Sequence, residues 1–455
     1  MSEELRRLAA ACLFASFPGL EAPEWALRGV EGGLGGLCLF AYNVRDREQL
    51  AALTASLRAV RGDLLVGTDE EGGDVTRLEG ARGSSYPGNG ALGAVDDVAL
   101  TERVAAAIGS DLRAVGVNLD FAPVADVNVN PANPVIGLRS FGESRELVAR
   151  HVAAFVRGLQ RQGVAACAKH FPGHGSTERD SHLELPVVTG DLAAALEPFR
   201  SAIDAGVKTI MTAHVVVPEL GDEPATLNRR IVGDLLRDEM GYDGVVVADA
   251  LEMRAVSATV GVEAAAVRAL RAGVDLLCVG HDLDDDDVAR IERALVTAVA
   301  FGELAEERLV EAAARVQSLA SWASPEPAAV DRAVGDVAAR RAVIVSGDVT
   351  LVSGASIVEL RPRANIAAGE HEHHFAGARV VREGAPIPDA DAYVVRDAHR
   401  HAWMREAADR AGVVVIEVGL PLWRPTQARG YVATYGAGRA SLAAAADLVF
   451  PKVPA

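Results

Sequence analysis

Along the first 280 positions the apolar residues fall into short, nearly unbroken runs, and five of these runs are entered through a glycine and a valine. They are AVGVNLDFAP (114–123), RQGVAACAKHF (162–171), DAGVKTIMTAHV (204–215), YDGVVVADAL (242–251) and RAGVDLLCVG (271–280). The glycine suits the left-handed residue just past a helix end. A run without polar alternation suits a strand buried on both faces, as in a parallel sheet covered by helices. Three earlier runs, ACLFASF (11–17), GGLCLFAYN (35–43) and DLLVGTD (63–69), bring the strands to eight. Segments such as SRELVARHVAAFVRGLQRQG (144–163) and DLAAALEPFRSAIDAG (191–206) repeat apolar residues every three or four positions, as amphipathic helices do. Eight strand–helix units in this length predict a (β/α)8 TIM-type barrel. An open doubly wound sheet fits less well, because no G-x-G-x-x-G follows the first strand and eight strands is long for an open sheet.

The rhythm breaks at SWASPEPAAVDRA (321–333), whose two prolines mark a linker. Beyond it, strand-like RAVIVSG, DAYVVRDAH and GVVVIEVGLP alternate with helical WMREAADRAG and RASLAAAADLV, the pattern of a small α/β domain. The predicted organisation is therefore a barrel over 1–320, a linker over 321–339 and an α/β domain over 340–455.

Composition narrows the function. The 455 residues carry 45 Lys and Arg against 63 Asp and Glu, a formal charge of -18. Such a surface argues against nucleic acid or an anionic membrane as the main partner. No stretch approaches twenty uninterrupted apolar residues, and the acidic start lacks the basic opening of a secretory signal, so a cytoplasmic protein is expected. The four cysteines, Cys12, Cys38, Cys167 and Cys278, lie unpaired inside apolar runs and read as buried free thiols.

In a barrel of this kind the strand C-terminal ends carry the chemistry. Polar residues gather at five of them: Asp69, Glu70, Glu71 and Arg77; Asp120, Asp126 and Arg139; Lys169, His170, His174, Asp180 and His182; His214; and Asp249. One such residue could be a structural cap, whereas five convergent ends define a binding-site candidate. In KHFPGHGSTERDSH, Asp180 and His182 stand two apart, so in an extended loop they point to one side. The carboxylate would then fix the imidazole tautomer and raise its basicity. Asp249 follows four apolar residues at a strand end, a costly place for a carboxylate unless it is paired or used, for example as a nucleophile.

Taken in order, DEEGG-x-V-x-R, NPVIGLRSFG, KHFPGHG…DSH, MTAH and VADALEM resemble glycoside hydrolase family 3. The closer similarity is to its bacterial β-N-acetylglucosaminidase branch, the cytoplasmic enzymes of cell-wall recycling. The resemblance spans about residues 5–320, and that of the second domain to two-domain members is weaker. It implies Asp249 as nucleophile, His182 as general acid/base and Asp180 as its dyad partner. It further implies Lys169, His170, Asp69, Arg77 and Arg139 as sugar ligands, with His214 a further substrate-binding residue near the nucleophile. The implied activity is a retaining exo-β-N-acetylglucosaminidase acting on a small carbohydrate, with no metal or cofactor. Two motifs depart from the family: Glu70 and Asp74 stand where DQEGGRV often has glutamine and arginine, and Phe40-Ala41-Tyr42-Asn43 replaces a Phe-x-Arg-Asn-like motif.

Three alternatives remain open at this stage. A metal-dependent hydrolase would use His170, His174, His182, His214 and Asp249, but Pro172 and Gly173 forbid a helical pairing of the first two. A catalytically silent sugar-binding barrel would have lost Asp249 or His182, and both are present. A phosphorylase on the same fold is a third, because phosphate could approach a covalent intermediate that no second carboxylate guards. The histidines of GEHEHHF and RDAHRHAW read as solvated loop residues, and no catalytic role falls to the second domain.

Overall fold

The computed structural model describes residues 3–181, 183–280, 284–322, 329–363, 369 and 373–451. Each of the eight predicted strands forms. They are β1 (Leu13–Ser16), β2 (Gly36–Cys38), β3 (Leu65–Thr68), β4 (Leu119–Asp120), β5 (Ala165–Phe171), β6 (Thr209–Thr212), β7 (Val245–Ala248) and β8 (Leu276–Cys278), and they close into a parallel barrel in chain order. The first strand completes the ring, pairing with β2 on one side and β8 on the other.

Helices cover the barrel, and the sequence sets where they begin. Asp46, Asp97, Ser144, Asp191 and Asp284 each accept a hydrogen bond from the backbone N–H three residues on, satisfying a donor the first turn leaves unpaired. Four of the five glycines before Val adopt the expected left-handed conformation: Gly116, Gly163, Gly206 and Gly273. The fifth differs. The helix Arg230–Glu239 ends early, and Gly241 supplies the left-handed turn. Gly244 is needed for another reason, since a Cβ there would lie 2.3 Å from the Tyr242 hydroxyl.

The barrel interior is packed solid. Phe14 meets Phe121 edge to face with centroids 5.7 Å apart, alongside buried Cys38, Cys167, Met211 and Cys278. The Phe14 ring occupies space that a side chain on β2 would need, because a Cβ on Gly36 would come within 2.3 Å of it. All four cysteines are free and buried.

The second domain is a six-stranded sheet: β9 (Ile344–Gly347), β10 (Ile357–Arg361), β11 (Arg379–Arg382), β12 (Ala392–Val395), β13 (Val414–Glu417) and β14 (Gly430–Ala433). Its order is β11-β10-β12-β13-β14-β9, parallel except for β9. Within the stretch read as a linker, residues from 334 onward belong to a helix, Val334–Ala342. That helix buries Val334 and Ala338 in the barrel's core and Ala339 against Ala440 and Ala444 of the second domain.

Polar bonds fasten the second domain to the barrel rim. Arg396 donates to Asp74 at 2.6 Å, and Ala437 N–H donates to the other oxygen of the same carboxylate at 2.8 Å. His399 meets the Pro131 carbonyl at 3.0 Å, and Arg439 pairs with Glu79 at 3.1 Å. The turn carrying Asp74 fits because it lacks side chains: Gly73 is left-handed, and its Cβ would lie 2.7 Å from Gly88.

The Phe14–Gly36 contact gives a direct test. Phe14→Ala is expected to cost about 3–5 kcal/mol by leaving a cavity, and Gly36→Ala about 1–3 kcal/mol by overfilling. The double variant should be less destabilised than the sum, because each change relieves the other. Urea unfolding of the three proteins measures this.

Candidate active site

Five of the predicted residues converge on one buried charge array at the C-terminal rim. Lys169, near the end of β5, places its Nζ 2.7 Å from Asp69 Oδ1 and 2.8 Å from Glu71 Oε1. Its side chain is 2 % exposed. Burial alone would push the ammonium down, but the two carboxylates beside it override that and hold it above its ordinary value. Arg139 grips Glu71 with two parallel bonds, Nε–Oε2 at 3.0 Å and Nη2–Oε1 at 2.8 Å. Arg77 stands 3.7 Å from Asp69.

Both carboxylates respond to this company. Burial works against their charge, yet Lys169 with Arg77 keeps Asp69 below the usual carboxylate range. Arg139 with Lys169 does the same, more strongly, for Glu71. Three cations against two carboxylates leave one positive charge in excess, which suits a site that handles an oxygen-rich ligand and an anionic side chain.

His170 is oriented from behind. Its Nδ1 lies 2.7 Å from Asp126 Oδ2, and Asp126 is fully buried. That contact assigns the proton to Nδ1 and leaves Nε2 as an acceptor, facing Arg139 Nη2 at 3.4 Å. Asp126 Oδ1 also accepts the backbone N–H of His174 at 2.6 Å, so one carboxylate holds both histidines of KHFPGH.

His174 itself is structural. Its Nδ1 meets Thr177 Oγ1 at 2.7 Å and its Nε2 meets Ser181 Oγ at 3.1 Å. Burial pushes its pKa down to about 4 against the pull of Asp126, so it is neutral near pH 7. Through Ser181 it ties the loop that carries Asp180 back onto the barrel.

Asp180 lies half-buried on that loop. The loop is not extended there as expected. Leu183 and Glu184 both donate backbone N–H to the Asp180 carbonyl, at 3.0 and 3.1 Å, so the chain turns. His182 lies outside the described residues.

Asp249 follows β7 directly, on the rim that bears Lys169 and Asp69, and its Oδ1 accepts the Ala250 N–H at 2.8 Å. His214 lies beside the turn that follows β7. It is completely buried, with Nδ1 on Thr226 Oγ1 at 2.8 Å and Nε2 on the Ala250 carbonyl at 3.0 Å. The ring braces the turn that presents Asp249.

Sequence reasoning also left three participants without a role. Glu71 is the carboxylate on which Lys169 and Arg139 converge, Asp126 orients His170, and Asp120 underlies the array. Asp120 Oδ1 accepts the Glu70 N–H at 2.9 Å. Burial pushes the Asp120 carboxyl well up and that of Glu70 to about 7.

Among the described residues, the carboxylates of β10 and β13 in the second domain are engaged by hydrogen bonds. Glu417 accepts three backbone N–H groups, from Asp397, Ala398 and Gly419, at 2.9, 3.2 and 2.7 Å. Glu359 is bonded to Arg361 and to Phe375 N–H. Among the described residues no group of three or more His, Cys, Asp or Glu side chains is arranged to hold a metal ion, and no helix is long and apolar enough to cross a membrane.

A parallel eight-stranded barrel with carboxylates, arginines and a lysine converging on its C-terminal rim, followed by a second α/β sheet, is the architecture of a two-domain glycoside hydrolase. Residues 29–319 match the N-terminal domain of glycosyl hydrolase family 3, and the chain belongs to that family. A β-hexosaminidase of Bordetella avium is 41 % identical over 271 residues, covering 57 % of this chain and 77 % of that protein. A family 3 β-N-acetylglucosaminidase from Paenibacillus sp. str. FPU-7 superposes with a TM-score of 0.86 at 32 % identity, covering 99 % of this chain and 97 % of its own. A fungal multi-domain β-N-acetylglucosaminidase of the family superposes at 0.84 with 28 % identity, covering 98 % of this chain and 59 % of that one. The chain is therefore a glycoside hydrolase.

Lys169 carries a pH signature. In Lys169→Met, Asp69 and Glu71 lose their shared counter-ion while staying buried, which should cost about 3–5 kcal/mol near pH 7. In the native protein both carboxyls are held below their unfolded values, so their contribution is full above about pH 4 and is lost as pH falls through the lowered values. The variant should behave oppositely, its deficit shrinking toward pH 4 as the unpaired carboxyls protonate. Melting temperatures of both proteins between pH 4 and 8 check this.

Proposed function

We propose that the protein is a retaining exo-β-N-acetylglucosaminidase, releasing terminal β-linked N-acetylglucosamine through a glycosyl-enzyme on Asp249. The observation that carries this reading is the position of Asp249 at the end of β7, on the rim where Lys169, Asp69, Glu71 and Arg139 form a hydroxyl-binding array. The names of the Bordetella and Paenibacillus relatives support the choice of sugar.

The chemistry runs in two steps. A carboxylate oxygen of Asp249 attacks the anomeric carbon as the bond to the leaving oxygen breaks, and His182 gives that oxygen its proton. Water then attacks the same carbon, His182 takes the water's proton, and the bond to Asp249 breaks to free the sugar. Two inversions retain the configuration. Most glycosidases use a second carboxylate for the proton work. The engagement of Glu417 and Glu359 within the second domain supports assigning that work to His182, with Asp180 orienting it. Asp69, Lys169, Arg77, Arg139 and His170 hold the sugar ring. The acidic chain and the absence of a long apolar helix among the described residues agree with a small carbohydrate substrate in the cytoplasm.

Asp249→Ala should abolish turnover with the melting temperature preserved, and unchanged turnover would defeat the assignment. Loss of His182 should cost about 10²–10⁴-fold on a glycoside with a sugar leaving group and much less on a nitrophenyl one, which leaves with little protonation. Equal losses on both would move the general acid elsewhere. The native enzyme should favour a β-N-acetylglucosaminide over the matching β-glucoside in kcat/KM. Assays with and without inorganic phosphate separate the two acceptors: free sugar is expected, and sugar 1-phosphate would make the enzyme a phosphorylase.

A further inference from the structure

The turn after β3 joins two parts of the molecule. At its base, Asp69 and Glu71 belong to the charged array, Glu71 meeting Lys169 at 2.8 Å and Arg139 through two bonds. At its tip, Asp74 is held by the second domain, through Arg396 Nη1 at 2.6 Å and the Ala437 N–H at 2.8 Å. Base and tip are tied across the turn, because the Glu71 N–H donates to the Val75 carbonyl at 3.0 Å and the Val75 N–H to that of Gly72 at 3.2 Å.

Arg396 is one of four arginines beyond residue 330 that pair with barrel carboxylates. Arg332 meets Asp111, Arg341 meets Asp97 and Arg439 meets Glu79, and in these three pairs the arginine is 57, 47 and 53 % exposed. Arg396 is 26 % exposed and Asp74 11 %. The exposed pairs are weakened by solvent. A mostly buried carboxylate that loses its cation is an uncompensated charge out of water, so it turns toward solvent and draws its backbone along. The turn resists such movement little. Gly72 and Gly73 are both left-handed, and glycine reaches many alternative conformations.

We propose that Arg396 is a positioning residue for the sugar-binding array: by fixing Asp74 at the tip of the turn it fixes Asp69 and Glu71 at the base. The proposal rests on the reading of that array as the holder of the sugar ring. Glu71 must meet Lys169 and Arg139 at once, so a shift of about 1 Å in this carboxylate moves the donors that receive the sugar hydroxyls. The bond-breaking groups keep their places, since Asp249 follows β7 and Asp180 lies on the loop after β5. The second domain thus acts on the reaction through the backbone of a barrel turn, without Arg396 touching the substrate.

The test uses the full chain and two readouts: the inhibition constant of free N-acetylglucosamine, and kcat and KM for nitrophenyl β-N-acetylglucosaminide. Arg396→Ala should raise the inhibition constant and KM about tenfold, the loss of roughly one hydrogen bond to a charged group, with kcat within about threefold of native. Arg396→Lys should recover part of the loss by restoring a cation beside Asp74. Adding Asp74→Ala to Arg396→Ala should weaken binding no further, because the pair acts as a unit. Arg439→Ala, which breaks an exposed pair of the same interface, should leave both constants within about twofold of native. A pair that served stability alone would lower the melting temperature and leave KM and the inhibition constant where they were. An inhibition constant within about twofold of native in Arg396→Ala, or an equal rise in Arg439→Ala, overturns the proposal. Asp69→Asn keeps the two failures apart. If it binds the free sugar as the native protein does, the array does not hold the ring; if it binds weakly while Arg396→Ala binds normally, the proposal alone fails. Should Arg396→Ala not fold, Arg396→Gln, which keeps most of the side chain, carries the same comparison.

Discussion

The site depends on one buried ammonium. Lys169 is surrounded by protein, and its charge is tolerable only because Asp69 and Glu71 both lie within hydrogen-bond distance. Neither carboxylate would be stable there alone, so the three groups hold one another, and Arg139 and Arg77 extend the arrangement outward. Rigidity follows from this mutual dependence. A sugar ring meeting such an array finds donors and acceptors already fixed, with little ordering left to pay for at binding. The same lattice leaves one positive charge in excess on the rim that bears Asp249.

Around this array, other groups position without reacting. Asp126 sets the His170 ring, His214 braces the turn after Asp249, and neutral His174 tethers the Asp180 loop through Ser181. The second domain joins the same network at Asp74. There the acidic residue receives Arg396 and the Ala437 N–H from across the interface. That pairing couples the motif turn of β3 to the second domain, which is the geometry that encloses a cavity beside Asp180.

Much of the fold was legible because parallel barrel strands must be apolar on both faces, and because four of the five Gly-Val entries mark a helix end. The strands missed are β10, β11 and β14. β11 is Arg-Val-Val-Arg with three of four residues exposed, β10 carries Glu359 and Arg361 among its apolar residues, and β14, though buried throughout, opens on a glycine. The rim residues were legible as polar groups at the ends of apolar runs. Their pairing was not: Asp74 and Arg396 are 322 positions apart. The partners of His214, a threonine hydroxyl and a backbone carbonyl, were not legible either, because a histidine at a strand end looks the same in sequence whatever it faces. The turn at Asp180 likewise depends on backbone bonds to Leu183 and Glu184 that residue types do not announce.

The central claim is that Asp249 bonds covalently to the sugar, and intermediate trapping tests it most directly. His182→Ala, mixed with a dinitrophenyl β-N-acetylglucosaminide and quenched in acid, should form the adduct readily and hydrolyse it slowly. Peptide mass spectrometry should then find one N-acetylglucosaminyl group on the peptide containing Asp249, located on that carboxylate by fragmentation. An adduct on any other residue, or rapid release of the phenol with no adduct at any time, would contradict the account.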